Sequence, residues 1–122
     1  VTGVRADFGF AAPFLPDKRL YNKDLGGGSL LDIGIYPLFF SYLMLGMPER
    51  VRASATFAST GVDEQCGMVL TYPNGELALL DSTLRTKTPC EAFVFGTEGQ
   101  IRVHSRWHET EGLTLERNGH EP

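Results

Sequence analysis

The chain has 122 residues and a formal net charge of −4, with an apolar content of 42% and a charged content of 21%. These values fit a soluble globular domain with a modest core and exclude a disordered or collagen-like chain. The negative charge and the scattered Lys and Arg residues argue against nucleic acid and anionic membranes as partners.

The first predicted element is a half-buried strand near the start of the chain. Val4, Ala6 and Phe8 alternate with Arg5 and Asp7, which is the period of two expected of a strand. A long loop rich in Pro and Gly follows over residues 11–28. Loops of this length are often functional when they are ordered, so this loop is a candidate binding segment.

The most convincing predicted helix covers residues 30–45. It ends at Gly46, and Pro48 lies just beyond, which is a common way for a helix to stop. The helix is apolar on nearly all sides instead of along one stripe. Asp32 and Pro37 interrupt the apolar run, which we consider too short for a membrane span. We therefore expect a second domain or a partner to cover its outer side.

The remainder of the chain predicts strands. Alternating apolar residues indicate a strand over residues 50–57, and the turns "PNG" and "GTEG" indicate two hairpins. A weaker strand is predicted over residues 113–116. One helix and six or seven strands predict an α+β domain, in which a mainly antiparallel sheet buries the principal helix on one face. The other sheet face would be open for association.

The cysteines and histidines predict no metal site. Cys66 and Cys90 are too few for a disulfide scaffold, and we expect reduced thiols in a cytoplasmic protein. The histidines His104, His108 and His120 lack the spacing and context of a zinc site.

The start of the predicted helix, "GGGSLLDIGIYP", allows a structural interpretation. Ser29 would be the N-cap, and Asp32 would reach back to it from the first turn as in a capping box. The glycines would supply unusual backbone angles. Tyr36 would then be a core tyrosine with a hydrogen-bonded hydroxyl.

The same stretch also allows a functional interpretation. Asp32 and Tyr36 are four residues apart and would share one helix face, while Gly34 leaves little side chain between them. Pro37 removes a backbone donor and loosens the helix at this point. A carboxylate beside a phenol can bind a hydroxylated substrate and exchange a proton with it.

A family resemblance favours the functional interpretation. The segments "RLYNKDLGGGSLLDIGIYPL", "TGVDEQ", "YPNGELALLDSTL" and "EAFVFGTEGQIRV" resemble the C-terminal domain of the Gfo/Idh/MocA oxidoreductases. The likeness is greatest to the branch that contains glucose-fructose oxidoreductase and dimeric dihydrodiol dehydrogenase. Many family members end this Asp-x-Gly-x-His/Tyr motif in His, whereas this chain has Tyr36, as that branch does.

The resemblance implies roles for four residues. Tyr36 would be the catalytic proton donor or acceptor, and Asp32 would orient the substrate hydroxyls. Arg19, in the loop that would border the cofactor, would contact substrate or cofactor, with an ordinary surface arginine as the alternative. Trp107 would form an aromatic wall for the substrate, with a hydrophobic anchor as the alternative. A lysine of a Glu-Lys-Pro motif, which this chain lacks, would polarise the tyrosine from the N-terminal Rossmann domain.

The expected function follows from these roles. Residues 1–122 would be a single partial domain of the C-terminal substrate-binding and oligomerisation type, with the Rossmann domain absent from the chain. The parent protein would be an NAD- or NADP-dependent oxidoreductase that acts on a sugar, polyol or cyclic diol and forms a homo-oligomer through the open sheet face. The chain alone would bind no cofactor and would be inactive. The alternative is a non-catalytic ligand-binding or assembly module of the same fold.

Overall fold

The computed structural model describes residues 1–119. The prediction about His120 lies outside the described residues.

Seven strands of the described chain form one mixed sheet. They are β1 (Gly3–Gly9), β2 (Arg50–Phe57), β3 (Asp63–Thr71), β4 (Leu77–Thr83), β5 (Ala92–Phe95), β6 (Gly99–Val103) and β7 (Leu113–Arg117). Their order across the sheet is β2-β3-β4-β1-β5-β6-β7. The β1–β4 pair is parallel and the other neighbouring pairs are antiparallel, which confirms the predicted α+β architecture.

Two predicted hairpins are formed. Gly75, with a φ of 91°, closes the turn between β3 and β4 and donates its N–H to the Tyr72 carbonyl at 3.0 Å. The Gly96 N–H donates to the Gly99 carbonyl at 2.8 Å between β5 and β6. β1 is the exception to this local pairing, because it inserts between β4 and β5 and becomes the middle strand of the sheet.

The predicted helix begins with a π-helical turn. This turn covers Leu30–Gly34, and the α-helix α1 covers Ile35–Leu45. The Ile35 N–H donates to the Leu30 carbonyl, five residues earlier, which widens the first turn. Pro37 cannot donate an N–H to the carbonyl four residues before it. Short π-helical turns of this kind are frequent at functional sites.

The main core lies between the helix and one sheet face. Apolar residues of neighbouring strands meet across the sheet on this face and are almost fully buried, namely Val4, Ala6, Met68, Leu70, Ala78, Leu80 and Ala92. The helix covers them with Leu38, Phe40 and Leu45. A second buried cluster is formed by Tyr21, Ile33, Val62 and Leu84. In this cluster the loop over residues 11–28 packs against the helix start.

The outer side of the helix is uncovered by the rest of the described chain. Its exposed apolar side chains include Leu31 (60% exposed), Phe39 (64%) and Leu43 (62%). The segment Lys23–Leu45 has 23 residues and is, by length and composition, apolar enough to cross a membrane. Its continuous helical part is the turn Leu30–Gly34 followed by α1, which is the shorter run that the sequence predicts. Core helices of globular proteins share this property. This helix is joined to the sheet by a hydrogen bond of 2.7 Å between the hydroxyls of Ser41 and Tyr72, which lies just after β3.

The opposite sheet face is open and mixed in character. Val69, Leu77 and Leu79 are at least 37% exposed there. The stacked rings of Phe93 and Phe95 lie 5.8 Å apart on the same face. Charged residues of β1 and β4 interrupt this apolar surface, so it is less uniformly apolar than the face beneath the helix.

Candidate functional site

The helix start is capped by an aspartate of β3. Ser29 has helical backbone angles, with φ −67° and ψ −39°, and its side chain makes no cap bond. Instead, the Ser29 hydroxyl donates to Asp63 Oδ2 at 2.8 Å, and the Leu30 N–H donates to the same oxygen at 2.7 Å. The predicted capping box between Ser29 and Asp32 is therefore wrong. The negative charge at the helix start comes from a distant strand.

Two glycines allow the helix start to approach its neighbours. Gly28 has a φ of +110°, and a Cβ at this position would collide with the Asp63 carboxylate. Gly34 faces β4, where a Cβ would lie 3.0 Å from the Ser82 hydroxyl oxygen. The prediction that Gly34 makes room between Asp32 and Tyr36 is therefore wrong, because its missing side chain serves the packing of the helix on the sheet.

Asp32 pairs with Arg19 of the preceding loop. Arg19 Nη1 lies 2.6 Å from Asp32 Oδ1. The Asp32 side chain is 15% exposed and the Arg19 side chain is 60% exposed, so solvent reaches the pair from the arginine side. The structure thus brings together two of the four predicted site residues. Because Asp63 accepts the hydrogen bonds at the helix start, Asp32 does not act as the helix cap.

Tyr36 is exposed and its hydroxyl is available. The residue is 45% exposed, and within residues 1–119 its hydroxyl has no hydrogen-bond partner. The interpretation of Tyr36 as a core tyrosine is therefore wrong. Tyr72 fills that role instead, since it is 4% exposed and shares a 2.7 Å hydrogen bond with Ser41.

The Tyr36 ring belongs to an aromatic cluster above the end of β1. Its centroid lies 5.5 Å from Phe8 and 6.0 Å from His108. Phe8 and His108 stack at 4.4 Å with an interplanar angle of 28°. The two rings pack beside the Tyr36 side chain, and the residue as a whole stays 45% exposed.

Trp107 anchors a turn next to this cluster. It begins the 3-10 turn Trp107–Glu109, and its indole N–H donates to the Asp7 carbonyl at 2.9 Å. Its ring packs 5.2 Å from Phe40. These contacts fit the hydrophobic-anchor alternative for Trp107, and they present the next residue, His108, to Tyr36.

His108 is the residue of the cluster that sequence reasoning missed. We considered it as a metal ligand alone, and its position beside Trp107 was the available signal. Burial lowers the pKa of His108 below its ordinary value, although the nearby Glu109 carboxylate acts in the opposite direction. Within residues 1–119, no group of three or more His, Cys, Asp or Glu could hold a metal ion.

Comparison with known proteins gives a consistent family match. The model of the GFO/IDH/MocA C-terminal domain matches residues 1–102. The chain is 43% identical over 102 residues to trans-1,2-dihydrobenzene-1,2-diol dehydrogenase of Danio rerio, covering 82% of this chain and 30% of that protein. It is 33% identical over 105 residues to D-xylose 1-dehydrogenase (NADP(+)) 2 of Haloferax volcanii, covering 85% of this chain and 32% of that protein.

Solved structures show the same fold. An aldose-aldose oxidoreductase from Caulobacter crescentus, crystallised with glycerol, superposes with a TM-score of 0.78 at 24% identity. That match covers 98% of this chain and 40% of the other. The chain spans about a third of the length of the curated relatives described above.

Proposed function

Because the chain belongs to the GFO/IDH/MocA C-terminal domain family, we propose that it supplies the substrate-binding half of an NAD- or NADP-dependent dehydrogenase. The substrate class is a sugar, polyol or cyclic diol. The names of two relatives support this class, since one acts on a cyclic diol and the other on D-xylose.

The observation that carries the proposal is that Tyr36 is an exposed residue whose hydroxyl has no hydrogen-bond partner within residues 1–119. A buried tyrosine would satisfy its hydroxyl within the protein, as Tyr72 does. Tyr36 instead keeps an unpaired hydroxyl on a ring held by Phe8 and His108. In the proposed reaction, the substrate carbon gives its hydride to the nicotinamide while Tyr36, as the phenolate, takes the proton of the substrate alcohol. In the reverse direction the neutral phenol of Tyr36 donates this proton to the substrate carbonyl oxygen.

Asp32 and Arg19 act in substrate binding in this proposal. The Asp32 carboxylate accepts hydrogen bonds from substrate hydroxyls next to the reacting carbon, and the Arg19 guanidinium holds that carboxylate in place. Trp107 acts indirectly, because it anchors the turn that completes the aromatic cluster.

The cofactor would be held mainly by the part of the protein outside this chain. A bound nicotinamide would supply the hydride acceptor and donor chemistry. The residues described here fit one side of such a site. A second domain that carries the cofactor could pack against the exposed apolar side chains of Ile35, Phe39 and Leu43. The chain alone is expected to bind neither NAD nor NADP.

Self-association belongs to the same proposal. The open sheet face, with Val69, Leu77, Leu79 and the stacked Phe93 and Phe95, is an apolar surface of the kind that marks interfaces. We place the homo-oligomer contact on this face and the protein in the cytoplasm.

The full-length protein that contains this chain provides the test. We expect it to reduce NAD or NADP with D-xylose or trans-1,2-dihydrobenzene-1,2-diol, as followed by the absorbance of the reduced cofactor. Residues 1–122 alone serve as the control and should neither turn over substrate nor quench NADPH fluorescence. Cofactor binding without turnover of any sugar, polyol or diol would favour the non-catalytic module. Tight NADPH binding by residues 1–122 would contradict the proposed division between domains.

A further inference from the structure

The turn that carries His108 is held firmly against β1. The Trp107 N–H donates to the Cys90 carbonyl at 3.3 Å, and the Trp107 indole donates to the Asp7 carbonyl at 2.9 Å. Arg106, which precedes the turn, has a φ of 60°, a left-handed conformation that residues with side chains seldom adopt. Its guanidinium pairs with Glu109 at the other end of the turn. Strained backbone of this kind is found preferentially at functional sites.

The His108 imidazole has an unusual environment. One face stacks on Phe8 at 4.4 Å, and the Tyr36 ring lies 6.0 Å away. Its Nδ1 atom is buried and has no hydrogen-bond partner within residues 1–119. Its Nε2 atom lies 3.8 Å from Glu109 Oε1, which is too far for a hydrogen bond. Buried unpaired polar atoms are rare and call for a functional explanation.

We propose that His108 is a positioning and specificity residue of the substrate site, where its uncharged imidazole holds Phe8 and Tyr36 and completes an aromatic wall for a cyclic substrate. This inference rests on the proposed function of Tyr36. The matched family model ends at residue 102, before this turn.

The chemistry of the wall selects for ring-shaped substrates. Phe8, Tyr36 and His108 together present aromatic surface next to the Tyr36 hydroxyl. A pyranose offers a face of C–H bonds and a cyclohexadiene diol offers the face of its diene, and either face can pack against such a surface with the substrate hydroxyls directed to Tyr36. An open-chain polyol lacks this face and loses more conformational freedom when it is bound.

The wall also requires His108 to be uncharged. The charged and titratable groups around the imidazole include Glu109 and Arg106 of its own turn and Tyr36 of α1. Lys87 and Cys90 border a cleft of about 660 Å3 together with His108. Protonation would place an N–H on the buried Nδ1, where no acceptor is available. Burial accordingly lowers the His108 pKa. As the pH falls below the ordinary range of histidine, the charged imidazole should leave the Phe8 stack and the site should lose its wall.

Kinetics of the full-length protein with D-xylose provide the first part of the test. His108→Ala should raise KM about 3- to 10-fold, the effect expected for the loss of an aromatic contact, with a smaller change in kcat. His108→Phe should keep the KM of the wild type and remove the loss of kcat/KM below about pH 6.5. Glu111→Gln, at an exposed position just beyond the turn, is the charge-matched control and should keep both the KM and the loss of kcat/KM at acid pH.

Selective labelling of tyrosine for NMR provides the second part, which needs no turnover. In the full-length protein, the Tyr36 ring signals should shift as His108 titrates and should lose this shift in His108→Phe. Tyr36 signals that do not change as His108 titrates, or an unchanged KM in His108→Ala, would overturn the inference. If Tyr36→Phe keeps full turnover while the NMR coupling is present, the proposed function fails and the positioning role of His108 survives.

Discussion

Two carboxylates border the start of the same helical segment, and their surroundings differ. Asp63 faces inward from β3 and accepts hydrogen bonds from the Ser29 hydroxyl and the Leu30 N–H. Asp32 lies within the π-helical turn, and its partner is the exposed guanidinium of Arg19. The contrast separates helix capping, which Asp63 performs, from the substrate binding that we propose for Asp32.

The same division separates the two tyrosines associated with this helix. Tyr72 is buried and bonded to Ser41 of α1, whereas Tyr36 is exposed with an unpaired hydroxyl among the described residues. Asp63 and Tyr72, to which we assign structural roles, thus have hydrogen-bond partners within the described chain. The residues proposed for chemistry keep polar groups that a substrate could satisfy.

The largest expected effect is that of Tyr36→Phe on turnover. Removal of a positioned acid or base should lower kcat by roughly 10²–10⁴ in the full-length protein. The ring and its contact with Phe8 remain, so thermal stability should change little. Steady-state kinetics with the best substrate found and a deuteride isotope effect would measure this loss.

Tyr72→Phe is the matched control for that experiment. It removes the hydroxyl that bonds Ser41 in the core, and it should cost about 1–2 kcal/mol of stability with little change in turnover. Near-normal turnover in Tyr36→Phe, with chemistry rate-limiting, would return Tyr36 to a packing role.

The next effect in size is the loss of the helix cap. Asp63→Ala should lower the free energy of unfolding by about 2 kcal/mol, because two donors at the helix start lose a charged acceptor. Urea denaturation followed by circular dichroism would measure it. Glu64→Ala is the control on the same strand, since its pair with Arg85 is long, at 3.7 Å, and should be worth less than about 1 kcal/mol. Equal losses in the two variants would disprove the capping role.

Most of the fold could be predicted from the sequence because its signals are local. The alternation along β1 and β2 and the Gly75 turn depend on neighbouring residues, as does the end of the helix at Gly46. The place of β1 in the middle of the sheet could not be predicted, since it depends on pairing with β4 and β5 far along the chain.

The candidate site could be predicted in part for the same reason. Tyr36 and Asp32 stand out through motif spacing, and the pairing of Arg19 with Asp32 joins two predicted residues. The cap could not be assigned locally, because Asp63 is 33 residues from Leu30, whose N–H donates a hydrogen bond to it. His108 was missed since its contact with Phe8 arises only when the Trp107 turn folds onto β1.

A third carboxylate, on the open sheet face, should give the smallest effect and the opposite sign. Asp81 faces Asp7 in the parallel register of β1 and β4, and burial together with the Asp7 charge raises the pKa of Asp81. The folded state then holds the Asp81 proton more tightly than the unfolded state, so the ionised carboxylate destabilises the fold at neutral pH. Asp81→Asn should raise Tm at pH 7 by on the order of one degree.

The pH dependence of this gain provides its own control. The benefit of Asp81→Asn should disappear as the pH falls through the ordinary range of an aspartate, because the wild-type carboxyl is then protonated as well. Asp7→Asn should instead lower Tm, since the Asp7 carboxylate accepts hydrogen bonds from the Cys90 and Glu91 N–H groups at 2.9 Å. A gain that persists at low pH would show that the repulsion between Asp7 and Asp81 is not its cause.

The division between the two carboxylates is tested most directly by measuring stability and kcat/KM together in Asp32→Asn of the full-length protein. We expect the free energy of unfolding to stay within about 1 kcal/mol of the wild type, the range of an ion pair that solvent screens, because Arg19 is 60% exposed. We expect kcat/KM to fall by about 10-fold or more, because a charged acceptor for the substrate hydroxyls is lost. A protein that loses about 2 kcal/mol of stability and keeps its kcat/KM would contradict this division, since Asp32 would then be the helix cap.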